Sequence, residues 1–188
     1  MPVVAPRTLT MSPEDYFEWE ASQTERHEFH FGEVFPMSGG TSAHAEIIIA
    51  LGSLLYAELR GTEYKVRSEA MRVQISGDEY VYPDLSVTRG PGTFRSTRKI
   101  TLLDPVLIVE VLSPSTRSYD YGEKLALYRS VEDVLLVDSQ RRHVEVVRRT
   151  DDGWTLSGAL EGVASLRSVG VDLEVEDLYR DVTGFEDA

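Results

Sequence analysis

The seven-residue stretch VLIVEVL, residues 106–112, narrows the possible folds of this chain more than any other feature. Six of the seven residues are apolar, and such a run is typical of a strand buried on both faces of a sheet. Glu110 interrupts the run, and an ionised carboxylate in a buried strand costs several kcal/mol unless it is paired or binds a metal ion. The stretch therefore predicts a central strand that carries an acid with a specific partner.

A second acid lies in the stretch YVYPDLSV, residues 80–87, whose Val and Tyr content predicts a strand. Pro83 donates no ladder hydrogen bond and so marks an edge or a bulge, from which Asp84 would point into a pocket shared with Glu110. For either acid alone, a strand end that reaches water or a basic partner is the simpler explanation. Two acids in consecutive apolar strands favour a shared metal site.

A divalent cation suits this pair of acids. Mg²⁺ takes oxygen ligands, of which commonly only one or two are protein carboxylates. Asp84, Glu110 and the backbone carbonyl of Val111 are therefore the predicted ligands of Mg²⁺ or Mn²⁺. A metal ion held in this way polarises a phosphodiester and lowers the pKa of a bound water. A nearby ammonium group would then stabilise the charge that develops.

The composition limits both the kinds of site and the binding partners that this chain can have. The 188 residues carry a net charge of −13 and no cysteine, which excludes disulfides, thiolate catalysis and zinc–thiolate sites. The negative charge disfavours binding of nucleic acid through bulk charge, but it suits a cation site or simply keeps the protein soluble. The loop GPGTFRSTRK, residues 90–99, brings Arg95, Arg98 and Lys99 together as predicted local phosphate contacts.

The location of the protein is predicted from what the chain does not contain. No apolar run approaches the roughly 18 residues of a membrane helix. The first ten residues, MPVVAPRTLT, lack the apolar core of a secretion signal. We therefore expect a cytoplasmic protein that has no membrane partner.

The order of the patterns predicts a mixed α/β fold in which a curved, mixed central β-sheet is flanked by helices. Helical patterns cover residues 13–23, 42–60 and 118–131, and hairpins turn at Gly32 and at the segment SQRR. The stretches EYKVRSEAMRVQI and YVYPDLSVTRG each predict one continuous strand. The chain is expected to form a single domain over residues 1–188, with an N-terminal helix and hairpin at about 8–40, a core at about 41–148, and C-terminal strands and a turn at 149–188.

Five stretches resemble a known family: MSPEDYFEWE, RHEFHFGEVFPMSGGTSAHAEI, YVYPDLSV, LIVEVLSPSTRSYDYGEKLALYR and VLLVDSQRRHVEVVRR. In this order, and over nearly the whole chain, they resemble the Uma family of restriction endonuclease-like proteins within the PD-(D/E)XK nuclease superfamily. The resemblance implies a restriction-endonuclease-like core and divalent-metal-dependent hydrolysis of phosphodiester bonds. The stretch EVLSPSTRSYDYGEKLALYR is the most specific of these motifs.

The resemblance also assigns catalytic residues. It matches Asp84 to the first strand acid of the superfamily and Glu110 to the second. Leu112 stands where the superfamily motif has its lysine, and Lys124, which matches a lysine on the family's following helix, is the predicted substitute. The alternative for Lys124 is an exposed helical lysine that pairs with Asp120 four residues earlier.

Glu28 and His44 match an acid and a histidine that the family carries, and they are the predicted accessory residues. Glu28 would lie near the metal ion, but a structural role through Arg26 or a backbone amide is equally compatible. His44 would contact a phosphate or assist proton transfer, or it would only pack at the start of its helix.

The segment after Glu110 offers further polar side chains. Arg117 is a predicted phosphate contact. The hydroxyl residues Ser113, Ser115 and Thr116 are expected to shape the loop, and Tyr128 is expected to lie in the core.

The leading hypothesis is a DNA endonuclease that uses Mg²⁺ or Mn²⁺ and forms a homodimer, because cutting two strands needs two active sites. The first alternative is a catalytically silent binding module with a nuclease fold, which the net charge of −13 and Leu112 favour. The second alternative is a metal-dependent hydrolase of another phosphate ester, because the same site chemistry serves both substrates.

Overall fold

The computed structural model describes residues 9–37, 39–113, 117–159 and 162–183 and has a mixed α/β fold. Its strands form two six-stranded mixed sheets and one two-stranded hairpin. Helices pack against the strands. The predicted α/β class is confirmed, but the strands are divided between two mixed sheets where one central sheet was expected.

The strands are short except at the centre of the fold. In chain order they are β1 Leu9–Thr10, β2 His27–His30, β3 Glu33–Pro36, β4 Tyr64–Ser68, β5 Arg72–Gln74, β6 Tyr80–Val81, β7 Leu85–Arg89, β8 Thr101–Leu102, β9 Pro105–Leu112, β10 Asp133–Asp138, β11 Val144–Thr150, β12 Gly153–Ala159, β13 Val163–Leu166 and β14 Val171–Glu174. The N-terminal sheet has the order β1-β3-β2-β6-β5-β8, the central sheet has the order β12-β11-β10-β9-β7-β4, and β13 pairs with β14.

Strand β9 contains the VLIVEVL stretch and lies inside the central sheet, antiparallel to β7 and parallel to β10. Residues 107–112 are all buried, so the predicted central strand is confirmed. Alternate side chains enter two different apolar clusters: Val109 and Val111 pack in the cluster of α2, whereas Ile108 and Leu112 pack in the cluster that contains Tyr128. Glu110 points to the same face of β9 as Ile108 and Leu112, because side chains alternate along a strand.

The first two helices begin at side-chain caps, and their bounds are α1 Pro13–Glu20 and α2 Ser42–Leu59. Ser12 accepts a hydrogen bond from the Asp15 backbone at 3.2 Å, and Thr41 accepts one from the His44 backbone at 3.3 Å. The chain between these helices forms the predicted hairpin, in which β2 pairs with β3. Its turn residues Phe31 and Gly32 both have positive φ, as a type I′ hairpin turn requires.

Helix α2 corrects the expectation about apolar runs. Its 18 residues are long and apolar enough to cross a membrane by length and composition alone. Its residues Ile47, Leu51 and Leu55 are fully buried against the central sheet and the C-terminal strands. A core helix of a globular fold passes the same composition test, so the expected absence of a membrane partner stays a prediction.

Two stretches predicted as single strands are each divided between the two sheets. EYKVRSEAMRVQI forms β4 in the central sheet and β5 in the N-terminal sheet, and YVYPDLSVTRG forms β6 in the N-terminal sheet and β7 in the central sheet. Pro83 and Asp84 form the connection between β6 and β7. Pro83 therefore stands at a junction between sheets, which needs no ladder hydrogen bond, and not at an edge or bulge of one strand.

Residues 117–130 form an irregular helical segment, which we call the lysine helix, in the connection between β9 and β10. It consists of α-helical residues Arg117–Tyr119, a π-helical turn Asp120–Lys124, α-helical residues Leu125–Leu127 and a 3₁₀ turn Tyr128–Ser130. A single regular helix was expected here. Because β9 and β10 are parallel, their connection must cross back over the sheet, and this crossing lays the helix over Glu110. The last helix is Val175–Tyr179.

Candidate active site

A cavity of about 320 Å³ lies where the N-terminal sheet, the central sheet, α2 and the lysine helix meet. Four of its lining side chains are carboxylates and one is an ammonium. The lining residues are Glu28, Phe35, Pro36, Met37, His44, Tyr82, Asp84, Glu110, Val111, Tyr119, Asp120 and Lys124. The structure thus brings together all the predicted catalytic, metal-binding and accessory residues.

Asp84 reaches this cavity from the junction between β6 and β7. Its Oδ2 accepts a hydrogen bond from the Val111 backbone amide at 2.7 Å. This bond fixes the connection between the sheets directly beside Glu110, the residue before Val111. The predicted sharing of one pocket by Asp84 and Glu110 is therefore what the geometry shows.

Glu110 projects from β9 towards the lysine helix and is only 4% exposed. Its Oε1 lies 2.9 Å from Lys124 Nζ and also accepts a hydrogen bond from the Tyr128 hydroxyl. Lys124 is itself 5% exposed, so it is not the solvent-exposed lysine of the alternative interpretation. Leu112, on the same face of β9, packs in the apolar cluster of Tyr128, which explains how this position accommodates leucine while the ammonium comes from the helix.

Glu28 comes from β2 and completes a three-residue charge cluster. Its Oε1 lies 2.9 Å from Lys124 Nζ and accepts the Tyr82 backbone amide at 3.0 Å, while its Oε2 accepts the Tyr119 hydroxyl at 3.0 Å. The backbone contact that the sequence suggested is present, and Glu28 also shares the lysine with Glu110. One carboxylate thereby links the N-terminal sheet to the lysine helix.

The π-helical turn explains how two residues of the lysine helix reach the same carboxylate. Tyr119 and Lys124 are five residues apart, and at about 100° per residue in an α-helix they would point in directions about 140° apart. A turn with i→i+5 hydrogen bonding brings such residues to one face, and π turns are frequent at functional sites. Gly122 lies at the middle of this turn.

His44 lies in the first turn of α2, and its Nε2 is 3.6 Å from Asp84 Oδ2. Burial lowers the pKa of His44, but hydrogen bonding and charge attraction to Asp84, together with a hydrogen bond to the Val111 backbone, outweigh it and raise the pKa. A Cβ on Gly40 would clash with the His44 ring, so this glycine leaves the space that the ring occupies. The imidazole thus faces the acid pair.

The protonation states in the cluster follow from charge and burial. Burial lowers the pKa of Lys124, but the carboxylates of Glu110 and Glu28 hold it well above its ordinary value, so the side chain is an ammonium. Burial, with the nearby carboxylates, raises the pKa of Tyr128 and of Tyr119, so both phenols stay neutral and donate hydrogen bonds.

His30 extends the cluster away from the cavity. Its Nε2 lies 2.5 Å from the Tyr119 hydroxyl, and its ring stacks on Phe35 with 3.9 Å between ring centroids. Burial lowers the pKa of His30. Because Tyr119 donates its single proton to Glu28, a neutral His30 must carry its proton on Nε2.

The donor set fits a hard divalent cation. In the described parts of the chain, no three or more His, Asp or Glu side chains converge in a metal-binding arrangement. Asp84 and Glu110 would together offer the one or two carboxylates that Mg²⁺ commonly takes from a protein. The Val111 backbone lines the same cavity. Burial raises the pKa of Glu110 well above its ordinary value, although the charge of Lys124 opposes this shift.

The predicted phosphate contacts are not part of this cavity. Arg95 and Arg98 line a separate cleft between α1 and β8, and Lys99 is exposed with its Nζ 5.8 Å from the Phe94 ring centroid. Arg117 forms an ion pair with Asp138. Their contact with phosphate stays a prediction. Of the three hydroxyl residues after Glu110, Ser113 is buried, and Ser115 and Thr116 lie outside the described residues.

Three parts of the site were not predicted. Tyr119 and His30 lie within stretches quoted for the resemblance, but neither was identified as functional. The hydroxyl of Tyr128, which was expected in the core, is buried there and also contacts Glu110. A signal was available, because a buried tyrosine hydroxyl usually has a hydrogen-bond partner; the partner's identity depended on the fold.

Comparison with known proteins identifies the family of this chain. A family model described as "Uma2: Putative restriction endonuclease" matches residues 13–177. The chain belongs to the Uma2 family. Two uncharacterized proteins of Synechocystis sp. resemble this Uma2 chain. One is 37% identical over 176 residues, covering 90% of the chain and 92% of the relative. The other is 30% identical over 160 residues, covering 82% and 90%.

A solved structure shares the fold. The crystal structure described as a "putative nuclease belonging to DUF820" from Anabaena variabilis aligns with a TM-score of 0.73 over 92% of this Uma2 chain and 98% of that chain. The two sequences are 18% identical, so the likeness bears on the fold alone. The family resemblance and the nuclease-like fold expected from the sequence are both confirmed.

Proposed function

We propose that this Uma2 protein is an endonuclease that hydrolyses DNA phosphodiester bonds with Mg²⁺ or Mn²⁺. One observation carries the proposal: Asp84, Glu110 and Lys124, from three separate elements, line one cavity. Two carboxylates and an ammonium are the groups that metal-assisted phosphodiester hydrolysis requires. Membership of a family described as restriction endonucleases supports the same reaction class.

Asp84 and Glu110 would hold the cation, with the Val111 carbonyl as a further ligand. When bound, the ion would polarise the phosphodiester and lower the pKa of a bound water. Glu110 Oε1 is already shared by Lys124 and Tyr128. These two contacts orient the carboxylate and leave Oε2 as the oxygen to bind metal.

Lys124 would stabilise negative charge that develops on the phosphate oxygens. Its ammonium is held by Glu110 and Glu28, each at 2.9 Å. Glu28 is fixed in turn by the Tyr119 hydroxyl and the Tyr82 amide. The chain thereby supplies a pre-oriented cation in a site that largely excludes water, where such a charge has the most effect.

His44 is placed to move a proton near Asp84. Its raised pKa keeps a larger protonated fraction at neutral pH than an unperturbed histidine would have. In that form the ring would donate a hydrogen bond to the substrate phosphate or to the leaving oxygen.

We further propose that the protein is cytoplasmic and forms a homodimer in which each copy cuts one strand of the DNA.

The test is cleavage of supercoiled plasmid and of linear duplexes by the full-length protein with Mg²⁺, Mn²⁺ or EDTA. We expect metal-dependent nicking that falls at least about 100-fold in Glu110→Gln and Lys124→Met. Glu123→Gln is the matched control, because Glu123 is exposed and does not line the cavity.

Three outcomes would change the proposal. No cleavage with either metal would overturn the endonuclease and favour the silent binding module. Cleavage of small phosphate diesters but not of DNA would favour the alternative hydrolase. Full activity in Lys124→Met would remove that lysine from the mechanism.

A further inference from the structure

A second cleft, separate from the acid cavity, gathers arginine side chains in this acidic protein. It lies between the end of α1, strands β5 and β8, and the loop before β8. We call it the arginine cleft after its four arginines, Arg26, Arg72, Arg95 and Arg98. Two glutamates also line it, Glu20 and Glu25, so the local balance is positive although the whole chain carries −13.

Arg72 is the feature of this cleft that most needs an explanation. The residue is only 8% exposed, and its Nε donates to the Thr101 hydroxyl at 3.0 Å. Its guanidinium lies over the rings of Phe17 and Tyr16, 4.5 and 5.5 Å from their centroids. Among the residues that the structure describes, it forms no ion pair with a carboxylate. A buried, unpaired cation that lines a cavity is costly unless an anion binds there.

The other arginines are oriented around the same space. Arg95 lies over the rings of Phe17 and Tyr80, at 5.1 and 5.7 Å, and donates to Gln74 at 3.2 Å. Arg26 lies over the Tyr82 ring at 5.8 Å. Aromatic faces hold planar guanidinium groups in a fixed orientation, and this favours bidentate contact with a phosphate.

The nearby glutamates offset this charge only in part. Glu69 Oε1 lies 4.0 Å from Arg26 Nη1, but this ion pair is exposed and screened by solvent. Glu20 Oε2 lies 3.1 Å from His27 Nδ1, and Glu20 Oε1 accepts the His27 amide at 3.0 Å and the Tyr82 hydroxyl at 3.3 Å. Glu20 is therefore occupied in the wall of the cleft. Glu25 is exposed to solvent, where its charge is screened.

Tyr82 connects the two sites. It lines both the acid cavity and the arginine cleft, and it is two residues before Asp84. A polyanion whose one phosphate lies at the acids would pass Tyr82 and bring a neighbouring phosphate to the arginines.

We propose that the arginine cleft is a second anion subsite that binds a phosphodiester of the nucleic-acid strand flanking the cleavage position. The inference rests on the proposed nuclease function for the identity of the ligand. It gives Arg72 and Arg26 a role that differs from that of the residues around the metal ion. The backbone phosphate supplies affinity at this subsite, and the acid cavity supplies the reaction.

The test is DNA binding by the full-length protein in EDTA, where metal-dependent cleavage is stopped. Fluorescence anisotropy would follow labelled single-stranded and duplex oligonucleotides over a range of salt concentrations. The double variant Arg95→Gln/Arg98→Gln changes two exposed side chains, and we expect its affinity to fall on the order of tenfold or more. We expect the slope of log affinity against log salt to fall by about two.

The matched control is Arg60→Gln/Arg180→Gln, which removes the same charge from residues that line neither site. Arg72→Gln should reduce affinity further, with its fold checked by circular dichroism. If that variant fails to fold, the double variant decides. Competition with inorganic phosphate distinguishes a site for free phosphate, which phosphate alone would saturate, from one that needs the polymer.

Two results would overturn the inference: a wild-type protein that does not bind DNA, or a double variant that binds like the control with the same salt slope. The result is separable from the proposed function. Arginine-dependent binding without cleavage would retain the subsite and reject the nuclease. Cleavage with an unchanged KM in the double variant would retain the nuclease and reject the subsite.

Discussion

At the scale of single residues, the protein is distinguished by a buried ammonium shared between two carboxylates from different sheets. Glu28 belongs to the N-terminal sheet and Glu110 to the central sheet, and Lys124 lies 2.9 Å from each. Removing charges from water costs several kcal/mol per ion, and only good geometry and further hydrogen bonds offset that cost. Tyr119 and Tyr128 supply those further bonds.

The first prediction concerns the loss of this ammonium. Lys124→Met removes the cation that Glu28 and Glu110 share and leaves their buried oxygens without that partner, so the free energy of unfolding at pH 7 should fall by about 3 kcal/mol. Urea denaturation without metal ions measures the change. Lys65→Met removes an exposed lysine and should change the value by less than about 0.5 kcal/mol. Equal stability of the two variants would show that the triad adds nothing to folding.

Asp138, at the end of β10, is another buried acid, but its partners are arginines. It is 1% exposed and pairs with Arg117 and with Arg141, and it accepts the Gln140 amide at 2.8 Å. Burial raises the pKa of Asp138, but hydrogen bonds from Arg117, Gln140 and Arg141 outweigh it and lower the pKa below the ordinary value.

The second prediction is a dependence of stability on pH. A lowered pKa in the folded state means that the stabilisation is present above the unfolded pKa, near 3.8, and is lost as the pH falls through the lower folded value. Asp138→Asn should therefore cost about 2–3 kcal/mol at pH 7, less than a fully buried pair because the arginines keep some solvent contact. The difference from wild type in urea denaturation should shrink towards about pH 2.5. A difference that stays constant with pH would contradict this origin.

At the scale of elements, the π-helical turn Asp120–Lys124 decides which side chains reach the site. It turns Tyr119 and Lys124 towards the same carboxylate. The segments on both sides of the turn are α-helical. Removal of one residue from the turn would therefore allow a continuous α-helix.

The third prediction uses Gly122 within this turn. Insertion of one alanine after Gly122 should preserve most of the helical circular dichroism but place Tyr119 and Lys124 six residues apart, about 120° apart around an α-helix. Cleavage should then fall to the level of Lys124→Met. Deletion of Gly122 leaves the two residues four apart, about 40° apart on one face of an α-helix, and should retain activity. Gly122→Ala is the matched control, because an added Cβ meets no atom within 4 Å, and it should retain activity. Equal activity in the insertion and the alanine variant would show that the turn has no role in positioning.

The element scale also shows what could be predicted from the sequence. The burial of Glu110 followed from the continuous apolar stretch around it, because a strand with two apolar faces has to lie inside a sheet. The division of YVYPDLSVTRG did not follow, because both β6 and β7 have the β-forming residues of a strand, and only their pairing partners assign them to different sheets. The π turn was equally hidden, since helical periodicity predicts only the regular helix.

At the scale of the whole molecule, the candidate site lies between layers that each supply part of it. Glu28 comes from one sheet, Glu110 from the other, and Asp84 from the chain that joins them. A ligand held by such residues binds only the assembled fold. Its binding energy is therefore added to global stability.

The fourth prediction follows for the metal ion. At about 100 times its Kd, a ligand adds about 2.7 kcal/mol, and a protein of this size gains about 2–4 °C per kcal/mol. Saturating Mg²⁺ or Mn²⁺ should therefore raise Tm by about 5–10 °C in scanning calorimetry. Asp84→Asn should abolish most of the rise, and Glu123→Gln should retain it. No shift in the wild type would contradict binding of the ion to the folded protein.

Part of the site was predictable at this scale because the family motif and the apolar pattern agreed on Asp84 and Glu110, whereas Lys124 followed from the family resemblance alone. The proximity of Glu28 to Lys124 could not be predicted from the sequence. These residues are far apart in the chain, and pairing across two sheets brings them together. The arginine cleft was only partly predictable for the same reason. Arg95 and Arg98 form a basic loop, whereas Arg72 joins them through the pairing of β5 with β8.

The hydrogen bond from the Val111 amide to Asp84 has a spectroscopic consequence. An amide proton whose nitrogen lies 2.7 Å from a carboxylate oxygen resonates downfield of most backbone amides, because hydrogen bonds to charged acceptors are short and strong. Protonation of Asp84, or withdrawal of its carboxylate towards a cation, would weaken that bond and return the resonance upfield. A single peak in a nitrogen–proton correlation spectrum would thus report the charge state of the acid pair, without a label on either acid.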